Sequence, residues 1–255
     1  LEARNDFVVY VADAGDTPWT RLCLRQADVV LLIAHAADAA SGWPGIDSQE
    51  GATRHAELLL VHQGSFVTGA ATRWRKLLPG VPCHHLRRPR DIERLVRLLT
   101  GRAVGLVMSG GGARGFAHLG VVRALREHGV PIDLVGGTSM GGILAAGVAA
   151  DWSDAELVER FRRSFVDTNP LSDFTLPLVS LVSGRKVGLL LRRELGDIDI
   201  EDLPLPFFCV SSNLTTGAYH LHRRGKLRHA LRASIALPGV MPPAIDNNNV
   251  LVDGA

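Results

Sequence analysis

Apolar residues follow two rhythms along the chain: short unbroken runs, and longer stretches in which they return every three or four positions. Phe7 to Ala12, Val29 to Ala34, Glu57 to His62 and Pro82 to Leu86 are runs of strand length, and Trp19 to Gln26 and Thr72 to Leu78 between them have helical character. This alternation predicts a small parallel-sheet unit of Rossmann-like type, and its sequence carries no phosphate loop. Ala40 to Gly51 contains Gly and Ser and predicts an exposed loop.

From Arg90 to Leu99, apolar residues recur at near-helical spacing among Arg and Glu, and Gly101 follows where a helix should end. That helix predicts a boundary, with a Rossmann-like unit over 1–89, a linker helix over 90–102 and a second domain over 103–255. The second domain opens with strand Ala103 to Met108, a glycine loop, helix Phe116 to His128, strand Leu134 to Gly136, a sharp turn at Ser139 and helix Gly141 to Ala150. A βαβα order of this kind implies parallel strands and a right-handed connection. Asp154 to Val166, Gly184 to Leu195 and Lys226 to Ile235 predict further helices; Phe207 to Ser211, Ala218 to His222 and Val250 to Val252 predict strands.

Composition narrows the classes. At 255 residues, with 46% hydrophobic and 21% charged residues, 27 Gly and 13 Pro, the chain is neither disordered nor collagen-like. The longest strongly apolar stretches, Val29 to Ala34 and Ile143 to Ala150, fall far short of the roughly 18 to 20 residues that span a bilayer. Cys23, Cys83 and Cys209 lie far apart without metal-ligand spacing, so reduced thiols in an intracellular compartment are expected. A net charge of +2 gives no general attraction to nucleic acid. Basic residues clump at Arg73, Arg75 and Lys76, at Arg87, Arg88 and Arg90, and at Arg223, Arg224, Lys226 and Arg228, which read either as solvated faces or as contacts for anionic lipid headgroups. The chain starts at Leu1 and stops just after an apolar run, so a C-terminally truncated piece of a longer protein is expected.

Candidate chemistry centres on Gly137-Thr138-Ser139-Met140-Gly141, a G-x-S-x-G run in which a strand turns abruptly into a helix and presents the Ser hydroxyl. Upstream, Gly110-Gly111-Gly112-Ala113-Arg114-Gly115 follows a strand and opens a helix, so its bare backbone N–H groups are candidate oxyanion donors. Arg114 reads either as a loop-holding or phosphate-meeting residue, or as a plain helix-start arginine. The same run spells the G-x-G-x-x-G dinucleotide fingerprint, but Asp133, the acid at roughly the right spacing, precedes its strand and stands at the wrong end of the sheet for a ribose. Two partners for Ser139 are open. A triad would pair Asp197, Asp199 or Asp202 with His220, His222 or His229; a dyad would use Asp253, which ends the apolar run Val250 to Val252 and can act directly as base if held within about 3 Å.

Taken in order, the Gly110 to Gly115 run, the Gly137 to Gly141 run, Ala233-Ser234-Ile235-Ala236-Leu237-Pro238 and Asp253-Gly254-Ala255 resemble the four blocks of the patatin-like phospholipases. Trp19 to Asp28 and Ser183-Gly184-Arg185 are similar to the neuropathy target esterase branch. The resemblance implies a three-layer α/β/α hydrolase core with a mainly parallel sheet, a Ser139/Asp253 dyad without histidine and an oxyanion hole at Gly110, Gly111 and Gly112. It implies supporting roles for Arg114, Gly115, Gly137, Gly141 and Pro238, no metal or organic cofactor, and a lysophospholipid or phospholipid acyl ester as substrate. It further implies a peripheral membrane surface as partner and a cyclic-nucleotide-binding domain upstream of this segment.

Overall fold

A computed structural model describes residues 4–43 and 55–255, so most of the loop expected over Ala40 to Gly51 lies outside the described residues. Contacts divide the chain into two compact units, Leu1–Arg87 and Arg88–Ala255. The helix expected as a linker belongs to the second.

The first unit is a parallel three-stranded sheet in the order β1 (Val30–His35), β2 (Ala56–Val61), β3 (Cys83–Leu86). Helices α1 (Pro18–Gln26) and α2 (Ala70–Arg75) connect into it. Thr17 caps α1, accepting from the Thr20 N–H at 3.1 Å, and Pro18 fills the first turn, where its missing N–H leaves no bond unmade. Central β2 is buried along nearly its whole length, which is why Leu58 to Val61 read as an unbroken apolar run rather than an alternation, while buried Glu57 pairs with His84 at 2.6 Å. Leu32, Leu58, Leu60, Trp74 and Leu78 form this unit's core. Phe7 to Ala12 corrects the sequence expectation: no strand forms there, and Phe7, Val9 and Val11 are exposed. Strand propensity is realised only where the chain is laid along a pairing edge, and although β1 and β3 each keep an outer edge unpaired among the described residues, this segment instead attaches to α1, where the Trp19 indole donates to the Val11 carbonyl at 2.9 Å.

The second unit begins with α3 (Pro89–Leu99), held at its start by the Asp91 carboxylate accepting from the Arg88 N–H. Strands β4 (Gly105–Met108), β5 (Leu134–Thr138) and β6 (Phe207–Asn213) run parallel, and β7 (Ala218–His222) pairs antiparallel with β6. A hairpin of β8 (Ala244–Asp246) and β9 (Asn249–Asp253) completes the sheet, with β9 antiparallel to β6. The sequence expectation contained no β8. Its three residues follow a Pro pair, and the turn to β9 is made by Asn247 and Asn248, both at positive φ, as a two-residue hairpin loop demands. Helices α4 (Ala117–Glu127), α5 (Ser139–Ala149), α6 (Asp154–Arg162), α7 (Arg185–Leu195) and α8 (Leu227–Ser234) complete the α/β unit. α5 is apolar on every face and almost wholly buried, packed on β5, β6 and α8. Among the described residues, no helix is long and apolar enough to cross a membrane.

The register of β6 sets the places of its three neighbours. β5 pairs with it over Phe207 to Val210, β9 over Ser211 to Asn213, and β7 over Cys209 to Asn213. Because β7 overlaps both of the others, it must occupy the opposite edge, and β5 and β9 therefore share one edge, tip to tip. The C-terminal end of each strand points at the other, Thr138 beside Val210 and Asp253 beside Ser211.

At the far end of β5, Asp133 is fully buried and accepts two-pronged bonds from the Arg97 guanidinium at 2.8 to 3.1 Å, plus the Val104 N–H at 2.9 Å. It thereby ties α3, β4 and β5 together. Removing one partner of such a pair strands the other. Asp133→Ala is expected to lower the stability of the second unit by about 3 kcal/mol, measured as a reduced urea midpoint.

Candidate active site

Ser139 sits where β5 becomes α5, with φ at 52°, a left-handed conformation that a non-glycine residue holds only under tertiary constraint. Glycine is required on both sides. A Cβ on Gly137 would lie 2.5 Å from the Met108 carbonyl oxygen, and one on Gly141 would collide with the same oxygen and with that of Ser109. The end of β4 thus packs directly against the elbow.

The Ser139 hydroxyl donates to Asp253 Oδ2 at 2.7 Å. Asp253 is buried, and its other carboxylate oxygen accepts the Ala255 N–H at 2.9 Å. Between the two strand tips lies Gly254, where a Cβ would collide with the Val210 carbonyl oxygen and come within 2.6 Å of Thr138 Oγ1. Only a residue without a side chain lets β9 approach this far.

The exit of α8 holds both partners, a role that sequence reasoning missed. The Ser139 N–H donates to Ser234 Oγ at 3.1 Å, and the Ser234 hydroxyl donates in turn to the Val210 carbonyl at 2.6 Å. Two residues on, the Ala236 carbonyl accepts the Asp253 N–H at 2.9 Å. A serine in a helical pattern gives little local sign of such a task, and the signal that could have found it was the Ala233 to Pro238 block taken as a unit. Pro238 itself lies exposed in the turn after α8.

The glycine loop adjoins the elbow. A Cβ on Gly110 would lie 3.0 Å from the Ser139 Cβ, so this backbone passes directly beside the hydroxyl's own carbon. Gly111 and Gly112 have positive φ, and the chain then enters a 3-10 turn over Gly112–Phe116 that leads into α4. Gly115 is buried against Met140, where a Cβ would collide with that side chain. Arg114 is exposed with its side chain lying along Gly111, where a Cβ would come within 3.7 Å of Arg114 Nε.

Residues considered for other roles lie elsewhere. His222 on β7 bonds through Nε2 to Ser211 Oγ at 2.8 Å and packs on the His220 ring. Asp197 and Asp199 pair with Lys226, and Asp197 also with Arg228. Asp133 is taken up by Arg97, at the start of β5 as its place in the sequence requires. Two basic clumps are likewise engaged, Arg88 and Arg90 by Asp151, and Lys226 and Arg228 by the pairs just named. Among the described residues, no three His, Cys, Asp or Glu side chains are grouped to hold a metal.

Residues 106–255 match the patatin-like phospholipase family, and residues 1–101 match the neuropathy target esterase family P-loop like domain. In the latter stretch, Gly64 and Gly69 between β2 and α2 have phosphate-loop spacing, but Ala70-Ala71 stand where that loop carries Lys and Ser or Thr. The neuropathy target esterase sws of Drosophila persimilis is 32% identical over 291 residues, covering 99% of this chain and 20% of that protein. The lysophospholipase NTE1 of Mycosarcoma maydis is 32% identical over 318 residues, covering 100% and 17%. An uncharacterized NTE family protein of Mycobacterium tuberculosis (strain CDC 1551 / Oshkosh) is 37% identical over 255 residues, covering 99% and 42%. The chain therefore spans from under a fifth to two fifths of the length of these relatives.

Burial pushes the His222 pKa down to about 4, with the neighbouring His220 adding to the fall and Asp246 opposing it. Its ordinary value is 6.5. As pH falls below 6.5 the unfolded chain takes up this proton and the native site does not, until pH approaches the folded value. The stability associated with neutral His222 is thus complete above 6.5 and lost as pH drops through 4. Thermal melts should show a falling midpoint across that window, and His222→Gln, which can keep the bond to Ser211, should flatten the decline.

Proposed function

The chain belongs to the patatin-like phospholipase family, and on that premise we propose that it is a serine hydrolase cleaving acyl esters of lysophospholipids or phospholipids through a Ser139–Asp253 dyad. The observation that carries this reading is the 2.7 Å hydrogen bond from the Ser139 hydroxyl to the Asp253 carboxylate. It is direct, and it lies within the range in which a base can abstract a proton. The name of the Mycosarcoma maydis relative, a lysophospholipase, supports the substrate class.

In the proposed reaction Asp253 takes the proton of Ser139 while the Ser oxygen attacks the ester carbonyl carbon. Negative charge gathers on the carbonyl oxygen, where backbone N–H groups of the Gly110, Gly111 and Gly112 loop receive it and the positive end of the α5 dipole favours it. Collapse of this intermediate breaks the bond to the glycerol oxygen, which leaves as an alcohol with the proton from Asp253. Water then attacks the acyl-serine, Asp253 removes its proton and returns it to Ser139, and the free fatty acid departs. Gly137 and Gly141 let β4 press against the elbow, and Gly115 seats Met140. Neither histidine nor metal takes part in any step of this scheme.

Ser139→Ala should abolish both turnover of a lysophospholipid and covalent labelling by a fluorophosphonate probe. Asp253→Asn preserves size and should reduce turnover by roughly 10³ to 10⁴, the scale of losing a general base in a positioned pair. Labelling that persists in Ser139→Ala would overturn the nucleophile, and near wild-type turnover in Asp253→Asn would overturn the base.

A further inference from the structure

Between α6 and α7 the chain makes an excursion that the proposed chemistry does not use. After α6 a π-helical turn (Arg163–Asp167) ends the helix, and an antiparallel bridge between Phe174 and Val182 then closes a loop over 175–181. Phe174 is 78% exposed, Leu176 72%, Leu178 84%, Val179 68% and Leu181 51%. Ten consecutive residues, Phe174 to Ser183, carry no charge. Five large apolar side chains held in water by one contiguous loop are uncommon on a monomer and mark an interaction surface.

The loop is ordered rather than trailing. The Thr175 N–H bonds the Leu181 carbonyl, and the Leu181 and Val182 N–H groups bond the carbonyls of Gly239 and Val240. Its base is therefore stitched to the chain that leaves the Ser234 and Ala236 clamp, and it stands on the segment that holds both members of the Ser139–Asp253 pair.

Charge decides between partners. Immediately after the loop, α7 exposes Arg185, Lys186, Leu189, Arg192 and Arg193. Its Glu194 is turned inward to Arg160, Arg163 and Arg193. The Asp173 carboxylate at the loop's base is turned inward, Oδ2 accepting from the Ser183 hydroxyl and the Lys186 N–H and Oδ1 buried. An uncharged apolar tip beside a cationic helix face complements an anionic phospholipid surface, with side chains entering the acyl region and cations meeting the headgroups.

We propose that the 174–181 loop inserts into anionic phospholipid bilayers, with the exposed face of α7 against the headgroups, and so delivers membrane-held ester to Ser139. The delivery clause rests on the reading under Proposed function, whereas insertion does not. Two measurements on the full-length protein separate them. In the first, Leu178→Cys carries an environment-sensitive fluorophore and vesicles of equimolar phosphatidylcholine and phosphatidylserine are added. The expected result is a blue-shifted, brighter emission that lipid-borne quenchers reduce and high salt weakens; unchanged emission overturns the proposal, as does a probe already shielded before lipid is added, since protein would then cover the loop. In the second, Leu176→Asp is combined with Leu178→Asp, both largely exposed sites outside the proposed chemistry. Turnover of lysophospholipid held in the vesicles should fall by about tenfold or more while turnover of a soluble short-chain ester and fluorophosphonate labelling stay at the wild-type level. Equal turnover of both substrates in wild type and variant overturns delivery. Loss of labelling in wild type would instead count against the hydrolase reading and leaves the fluorescence result to stand alone.

Discussion

An aspartate side chain is short, so a direct Ser–Asp contact can form only if the two backbones are brought almost together. The second unit meets this demand by giving β5 and β9 the same edge of β6, one parallel and one antiparallel, so that their C-terminal ends abut. Gly254 occupies the junction, against Val210 and Thr138, because nothing larger fits there. The 2.7 Å contact between Ser139 and Asp253 is thus a consequence of strand register as much as of the two residues. A shift of β9 by one position would turn Asp253 to the opposite face of the sheet and remove it from the site.

Around this junction the supporting contacts share few parts and each does more than one thing. Val210 contributes its carbonyl to both Ser234 and Thr138. The α8 exit grips Ser139 through Ser234 and β9 through Ala236, so a displacement of that turn would move nucleophile and base together rather than apart. Cys209, on β6 beside this network, is buried deeply enough that its thiol is held far above its ordinary pKa, and it behaves as a packing residue rather than as a competing nucleophile.

How much of this was legible in the chain depended on the range of the interactions involved. The elbow at Ser139 was readable because its requirements lie within a few residues: apolar Leu134 and Val135 before it, glycines at 137 and 141, and a helix-forming run after it. β1, β2 and β3 were readable from the strand-length runs Val29 to Ala34, Glu57 to His62 and Pro82 to Leu86. Phe7 to Ala12 was misread because strand propensity is realised only along a pairing edge, and the sequence does not disclose that this segment is held against α1 through Trp19 instead. β8 was missed for the converse reason, since three residues after a Pro pair have no periodicity of their own and the hairpin is set by the turn at Asn247 and Asn248. Asp253 could be recognised as a carboxylate at a strand tip, but its approach to Ser139 is a pairing across 114 positions that no local pattern encodes. The clamp by Ser234 and Ala236 was hidden for the same reason.

The elbow also explains why so much packing is devoted to one residue. Ser139 at φ 52° is strained by about 1 to 2 kcal/mol relative to an ordinary helical or extended conformation, and a strained residue relaxes unless its neighbours leave no room. Here β4 closes from one side, with the Met108 and Ser109 carbonyls against the Gly137 and Gly141 backbone, and Ser234 fixes the Ser139 N–H from the other. α5 behind it is buried on all faces and cannot slide or unwind without opening the core formed by Leu144, Val148 and their neighbours. Local strain is therefore balanced against the burial of an entire helix, and that imbalance of scale keeps the hydroxyl presented toward Asp253. The loop over 175–181, attached through the Gly239 and Val240 carbonyls, stands outside this rigid core.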